Sequence, residues 1–479
     1  MSHDNLGFTS STNALQDLKK SSSSKEHHGY GTNEKSDGIY VLELEEKKST
    51  QKQENDYEPY DYRVVEHPTT NAETMLHLLK GSLGTGILAM PKAFDNAGYI
   101  VGVIATIIIG LLCIYCMRIL IRSEYELCKR KRVPSLSYPA TAEAALLDGP
   151  MFLRRFSKAS IHIINVFLLI YQMGTCCVYI VFISKNLQSG LEDLSIELDL
   201  KIYMAIVLLP LIAVNYIRNL KFLAPFSTLA NIIMFTGFGI ILYYIFRDDL
   251  PFEKREAFGN AANFPLFFGT VLFALEAIGV IMPLENEMKT PRSFMKPCGV
   301  LNVSMGVIVA MYTAMGLFGY IRYGSDIHGS ITLDLPREGL GTAVKLLLAI
   351  AIFFTHPIQC YVAIDILWNE YISQHFEKYR FKIFWEYIIR TIIILLTFAL
   401  AISIPELELF ISLFGALCLS GLGLGFPAII QLCAFWNVMG PTERKIMLVK
   451  NMCLVLIGAF GLIVGTFTSL EKIIDSFSA

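Results

Sequence analysis

The chain has 479 residues, of which 53% are hydrophobic and 17% charged, and its mean hydropathy is +0.49. Soluble domains carry about 25% charged residues, so this composition excludes an ordinary soluble protein and indicates an integral membrane one. Against 42 acidic residues stand 40 basic ones, a net charge of -2, which offers no basic surplus for a nucleic-acid partner.

Residues 1–71 are polar from the start, with four consecutive serines at Ser21 to Ser24 and few large apolar side chains. Such a segment buries too little surface to offset chain entropy, so a disordered cytoplasmic tail is expected. No cleavable signal peptide is visible, which leaves insertion to the first spanning helix. Within the tail, Tyr62-Arg63-Val64-Val65 has the Tyr-x-x-apolar form of a sorting signal, a short pattern frequent by chance. The tail is also the natural contact for cytosolic signalling or sorting proteins.

Runs of about 20 mainly apolar residues mark membrane helices. Eleven are expected, near 72–94, 98–122, 160–184, 202–217, 222–246, 263–286, 298–321, 341–367, 383–403, 407–433 and 447–470. The first is interrupted at Gly81-Ser82-Leu83-Gly84-Thr85-Gly86, and the sixth at Glu276-Ala277-Ile278-Gly279. Glycine costs about 1 kcal/mol against alanine inside a helix, and three within six residues make unwinding easy. A spanning helix stays broken only where its freed backbone groups face protein, water or a solute.

Several side chains near the breaks carry possible chemistry. His77 precedes Gly84 by about two helical turns and titrates near pH 6.5 when unperturbed; it reads as a proton-coupling group or as a histidine bonded to a neighbouring helix. Lys80 reads as snorkelling to the boundary. Tyr171 and Tyr179 in span three, with Phe273, are either covers for a bound solute or ordinary packing. Glu276 is a carboxylate at mid-span, costly there and functional by default; it binds a substrate amine, lines the pocket, carries a proton, or caps the broken helix. Glu285 and Glu287 read as solvated or gate-forming, His356 and Asp365 as weaker coupling candidates, and the glycines Gly415, Gly421, Gly423 and Gly425 as close-packing or hinge positions.

The connections after the even-numbered spans hold most of the basic residues, among them Arg122, Lys129, Arg130, Lys131, Arg132, Arg154, Arg155 and Lys158. The positive-inside bias therefore sets the N-terminus in the cytoplasm. Gly86-Ile87-Leu88-Ala89-Met90-Pro91 is similar to Gly279-Val280-Ile281-Met282-Pro283, and an odd number of crossings separates the two. They would be related by inversion, as in alternating-access carriers. The expected organisation is a tail at 1–71, a first five-helix repeat at 72–246, a second at 263–433, and an eleventh helix at 447–470.

At the first break, the half-helix restarting near Gly84 to Ile87 presents N–H groups that suit a carboxylate. At the second, the carbonyl groups around Phe273, Ala274 and Leu275 suit an ammonium. A zwitterion fits both. The expected substrate-binding set is therefore Gly81, Ser82, Gly84, Thr85, Gly86, Phe273, Ala274, Leu275, Glu276 and Gly279, with His77 and Glu276 as proton-coupling candidates. The other reading of these glycines is close helix packing. No nucleophile-and-base arrangement marks an enzyme, and no cofactor or metal is expected beyond a proton as coupling ion.

From His77-Leu78-Leu79-Lys80-Gly81-Ser82-Leu83-Gly84-Thr85-Gly86-Ile87-Leu88, and from Phe264-Pro265-Leu266-Phe267-Phe268-Gly269-Thr270 through Glu276-Ala277-Ile278-Gly279 to Pro283-Leu284-Glu285-Asn286, the chain resembles the proton-coupled amino acid transporters of the amino acid/auxin permease superfamily, the solute carrier family 36 type. The resemblance runs from about His67 to the end of span eleven and includes Gly319-Tyr320-Ile321-Arg322-Tyr323-Gly324; the tail is similar to that of insect members. It implies an all-α integral membrane protein of eleven transmembrane helices, a LeuT-like 5+5 inverted repeat plus one extra helix. It further implies a symporter moving small neutral amino acids such as alanine, glycine and proline with a proton, across the plasma membrane or the lysosomal or late endosomal membrane. A first-span histidine serves proton coupling in that family, the position His77 holds. Outer-loop cysteines and usable glycosylation sequons common in the family are absent from this sequence. The alternatives are an amino acid sensor linked to nutrient signalling, since some family members act so, and a sodium-coupled or uncoupled carrier.

Overall fold

The computed structural model describes residues 57–218, 220–275, 277–376 and 381–478. They form helices α1 (Asn71–Ser82), α2 (Thr85–Ala97), α3 (Tyr99–Lys131), α4 (Tyr138–Asp148), α5 (Ser157–Glu192), α6 (Leu200–Asn215), α7 (Leu220–Arg247), α8 (Phe264–Ala274), α9 (Ile278–Asn286), α10 (Val300–Tyr323), α11 (Gly339–Asp365), α12 (Lys382–Ser403), α13 (Leu407–Phe414), α14 (Phe426–Phe435), α15 (Pro441–Phe460) and α16 (Thr466–Ser478). A π-helical stretch, Gly415–Gly425, joins α13 to α14, and another, Gly461–Gly465, joins α15 to α16. Apart from an isolated parallel bridge between Thr69 and Met288, no strand occurs among the described residues.

Among the described residues nine helical segments are long and apolar enough to cross a membrane: Tyr99–Lys131, Ser157–Glu192, Pro225–Arg247, Ala261–Asn286, Val300–Asp326, Gly339–Phe376, Lys382–Ser403, Leu407–Phe435 and Pro441–Phe477. Each overlaps an expected span. The other two expected spans fall on α1 with α2, which is divided into 12 and 13 residues, and on α6, which has 16. At about 1.5 Å per residue α6 is shorter than a hydrocarbon core of about 30 Å.

Ion pairs collect at two ends of the bundle. Arg63–Glu285, Arg130–Asp148 and Arg218–Glu386 lie at the end where α1 begins. Arg322–Asp248, Arg247–Glu338 and Lys345–Asp193 lie at the other. Between them most large buried side chains are apolar or aromatic, with His356 and Gln172 among the exceptions, as expected where little water is present to solvate a charge.

Two features depart from the sequence reading. Residues 1–56 lie outside the described residues, but 57–70, expected to be disordered, are docked on the bundle: Pro59–Tyr62 form one turn of 3-10 helix and Pro59 is buried. Thr69 pairs with the chain beyond α9, its N–H donating to Glu287 O at 2.8 Å while Lys289 N–H donates to Thr69 O at 2.8 Å. Thr70 then caps α1, accepting from Glu73 N–H while the Glu73 carboxylate accepts from Thr70 N–H, a reciprocal arrangement that satisfies two orphan donors.

The second is α4, inside what reads as a basic connection. Ser137 caps it, and Ala140, Ala142, Ala144 and Ala145 are buried. It packs on α5 and α14, and the Tyr138 hydroxyl donates to Leu422 O at 2.6 Å. Eleven residues are too few to register as a membrane span.

Candidate solute site at two helix breaks

The first break falls where the sequence puts it. α1 ends at Ser82, and α2 restarts at Thr85 with Gly84 as its N-cap, in an extended conformation with φ -144° and ψ -150°. Glycine brings no side chain to cap α2, and the first N–H groups of a helix have no intrahelical partner. The second break lies between α8 and α9. Leu275 N–H closes the α8 ladder on Val271 O at 2.9 Å, and α9 begins after Ala277 at φ -137° and ψ 1°. The carbonyls of the last α8 turn are thereby left outside its ladder. Glu276, the side chain singled out in this break, lies outside the described residues.

The two broken helices pack in opposite directions with their breaks at one level. A Cβ built on Gly81 would meet Val280 Cγ2 at 3.6 Å, one on Gly86 would meet Ala274 Cα at 2.8 Å, and the Phe94 and Phe267 rings lie 6.2 Å apart. The matched positions thus ascend in α1 and α2 as they descend in α9 and α8. Gly86 has no room for a side chain: it is the position where α2 rides directly on the α8 backbone. The close-packing reading therefore holds at Gly86, while Gly84 sits in the break itself. Behind α8, Gly415 makes a similar approach, with its missing Cβ directed at Gly269 O.

Ser82 and Thr85 are buried, and their hydroxyl oxygens have no hydrogen-bond partner. The Ser82 carbonyl accepts from the hydroxyl of Tyr312, a fully buried residue of α10. Tyr179 is buried, and its hydroxyl is 3.5 Å from where a Gly84 Cβ would stand. Phe273, Ala274 and Leu275 are buried, with the Phe273 ring 5.9 Å from Tyr171. Gly279 is in the first turn of α9 and only partly buried. A small crevice beside the second break is lined by Cys113, Met117, Leu272, Leu275, Ile278 and Leu419. The weaker candidate His356 is buried in α11, its Nδ1 3.2 Å from Asn215 Nδ2.

His77 stands apart from the break. It is exposed on α1, and the charges near it are Glu73, one turn earlier, and Glu287, just past α9. Burial pushes the Glu287 carboxyl above its ordinary range, and His77 opposes that shift.

Sequence reasoning missed Tyr312 and a charged cluster at the same end as His77. Arg63 inserts its guanidinium between two carboxylates: Nη1 is 2.7 Å from Glu285 Oε2 and Nη2 is 3.7 Å from Glu124 Oε1. All three side chains are at most 6% exposed. Arg63 Nε donates to Pro134 O at 2.9 Å, and its guanidinium lies 4.6 Å from the Tyr60 ring centre. Burial works against the charge on Arg63, but Glu285 and Glu124 outweigh it and hold the guanidinium's proton more firmly than usual. Glu124 also accepts from Cys128 Sγ and from Leu136 N–H, each at 3.1 Å. Glu285 is therefore not a solvated carboxylate. For Tyr312 a signal was available, because a buried tyrosine hydroxyl needs a partner.

A multi-pass helical bundle with two facing helix breaks is the architecture of a membrane carrier. The sequence pattern of the family described as transmembrane amino acid transporter protein matches residues 67–471, and the chain belongs to that family. It is 37% identical over 447 residues to the Drosophila melanogaster protein named proton-coupled amino acid transporter-like protein pathetic, covering 92% of this chain and 94% of that one. It is 28% identical over 427 residues to the Caenorhabditis elegans protein named probable amino acid transporter skat-1, covering 85% and 91%. Among solved structures, Mhp1, a nucleobase-cation-symport-1 family transporter in a closed conformation with bromovinylhydantoin bound, superposes with a TM-score of 0.46 at 11% identity over 88% of this chain and 96% of that one.

Proposed function

We propose that the protein is a secondary active transporter that carries small neutral amino acids, such as alanine, glycine and proline, by alternating access in symport with a proton. The observation that supports this most is the level, antiparallel placement of the two breaks within a chain of an amino acid transporter family. The N-terminus of α2 supplies unpartnered N–H groups for a carboxylate, and the last turn of α8 supplies carbonyl groups for an ammonium. Ser82 and Thr85, buried with free hydroxyls beside the first break, add two polar contacts. Those pairings select a zwitterion without a formal side-chain charge among the described residues of either break.

For the proton, His77 on α1, ahead of the first break, and Glu287, just past α9, are the neighbouring titratable groups. Coupling requires a site whose proton affinity differs between the two facing states, and this pair sits where the tail-end face would open and close. With the N-terminus cytoplasmic, that face is the cytosolic one.

The test is uptake of labelled alanine into expressing cells, in medium with sodium replaced by choline. Uptake should rise as the outside is acidified, and His77→Ala should lose that rise while still inserting in the membrane. Uptake independent of outside pH would remove the proton from the account, and dependence on sodium would replace it with another ion.

A further inference from the structure

We propose that residues 57–63 are a removable strap across the tail end of the bundle, with Arg63 as its pin, and that this strap must leave for solute to pass through that end. Little else holds the segment. Of residues 59–68, Pro59 alone is fully buried, while Tyr62 is 60% and Val64 96% exposed. The strap is not packed down along its length. It is fastened by the Arg63 guanidinium and by Tyr60, whose ring lies 5.0 Å from that of Tyr125 on α3. At its near end Glu58 accepts from the Tyr125 hydroxyl at 2.9 Å and faces Arg292 at 3.5 Å.

The pin joins separate parts of the fold. Glu124 belongs to α3 and Glu285 to α9, the half-helix that follows the second break, and Pro134 lies in the connection after α3. One guanidinium thus ties the tail-end half of a broken helix to its neighbour. Any motion that parts α9 from α3 or admits water between them must draw Arg63 out of at least one carboxylate. The cluster is also incompletely satisfied: Arg63 Nη2 and Glu285 Oε1 are buried with no hydrogen-bond partner. Two carboxylates share one cation, so the docked state is held by charge while two of its polar atoms stay without a hydrogen bond. Beneath the strap lies Cys128, fully buried, its Sγ donating to Glu124.

The structural half of this inference stands alone; the functional half rests on the transport reading. Both are tested on the full chain in lipid nanodiscs and proteoliposomes. Alkylation by a small maleimide is followed for each cysteine by peptide mass spectrometry, with exposed Cys298 as the reference for reagent and buried Cys176 and Cys360 as reporters of fold. Arg63→Ala should speed Cys128 labelling by about tenfold or more, as for opening of a local unit, with Cys176 and Cys360 unchanged, and Arg63→Lys should restore part of the protection. An unchanged Cys128 rate, or one that rises only together with Cys176 and Cys360, overturns the strap.

The second arm does not depend on removing the pin. Tyr60→Cys with Tyr125→Cys, bridged by a bis-maleimide with a reducible spacer, should take up no alanine until the spacer is reduced, whereas the unbridged double variant transports. Bridged protein that transports as fast as unbridged overturns the gating role while leaving transport intact. Absence of uptake in every form, wild type included, refutes the transport reading and the gate with it, and Cys128 labelling then decides the removable strap alone.

Discussion

At the two breaks the polar groups are peptide N–H and C=O, with the hydroxyls of Ser82, Thr85 and Tyr312 around them. At the tail end they are three ionisable side chains, Arg63, Glu124 and Glu285, nearly excluded from solvent. The difference follows from what each region is asked to hold. Under the proposed function, the backbone dipoles at the breaks hold a zwitterion through partial charges fixed by the helix ends. A buried ion cluster repays its desolvation only in part, but removing one partner strands the others. A carrier needs weak, matched groups where the solute sits and a strong contact where an end is shut.

Substitutions sharpen this contrast. Arg63→Ala should have the largest effect on stability, about 3–5 kcal/mol, since it leaves two buried carboxylates without their cation. Arg63→Leu combined with Glu124→Gln and Glu285→Gln should recover most of that loss, as judged by thermal unfolding in detergent. If Arg63→Ala melts like the wild type, the cluster is not the strong contact described.

At the breaks smaller costs are expected. Gly86→Val should lose about 1–3 kcal/mol by overpacking, because an added Cβ already falls 2.8 Å from Ala274 Cα. Gly81→Ala should be neutral or slightly stabilising in the same assay, since its Cβ meets Val280 Cγ2 at an ordinary 3.6 Å. Equal effects at the two positions would contradict the antiparallel register. Tyr312→Phe leaves the Ser82 carbonyl unpaired, at a cost of about 1–3 kcal/mol, and should lower alanine uptake at unchanged surface level. Unaltered uptake would return Tyr312 to plain packing. The smallest effect is expected at the start of α1, where Thr70→Ala removes a capping box worth about 1 kcal/mol; a melting temperature that does not move would show that the Thr69 pairing with Glu287 and Lys289 holds this end unaided.

Nine of the expected spans and both breaks were legible because they depend on local composition. Long apolar runs mark the helices, and glycine clusters mark where the backbone leaves them. α4 was not legible, since its short alanine-rich pattern lies among basic residues and owes its burial to α5 and α14. Arg63 was hidden more thoroughly. Its surroundings in sequence are those of a polar tail, and its partner Glu285 is 222 residues away. The Tyr-x-x-apolar pattern points to Tyr62 and Val65, and passes over the arginine between them. His77 lies on the first helix, but sequence spacing could not show that its side chain is exposed, near Glu73 and Glu287.

The central claim is that peptide groups at the two breaks together hold the carboxylate and the ammonium of one amino acid. Competition against labelled alanine uptake in proteoliposomes tests it most directly, using alanine, propionate and ethylamine as competitors. Alanine alone should compete, with propionate and ethylamine each ineffective even in large excess. Competition by either single-charge analogue as strong as that by alanine would contradict a site built from both breaks.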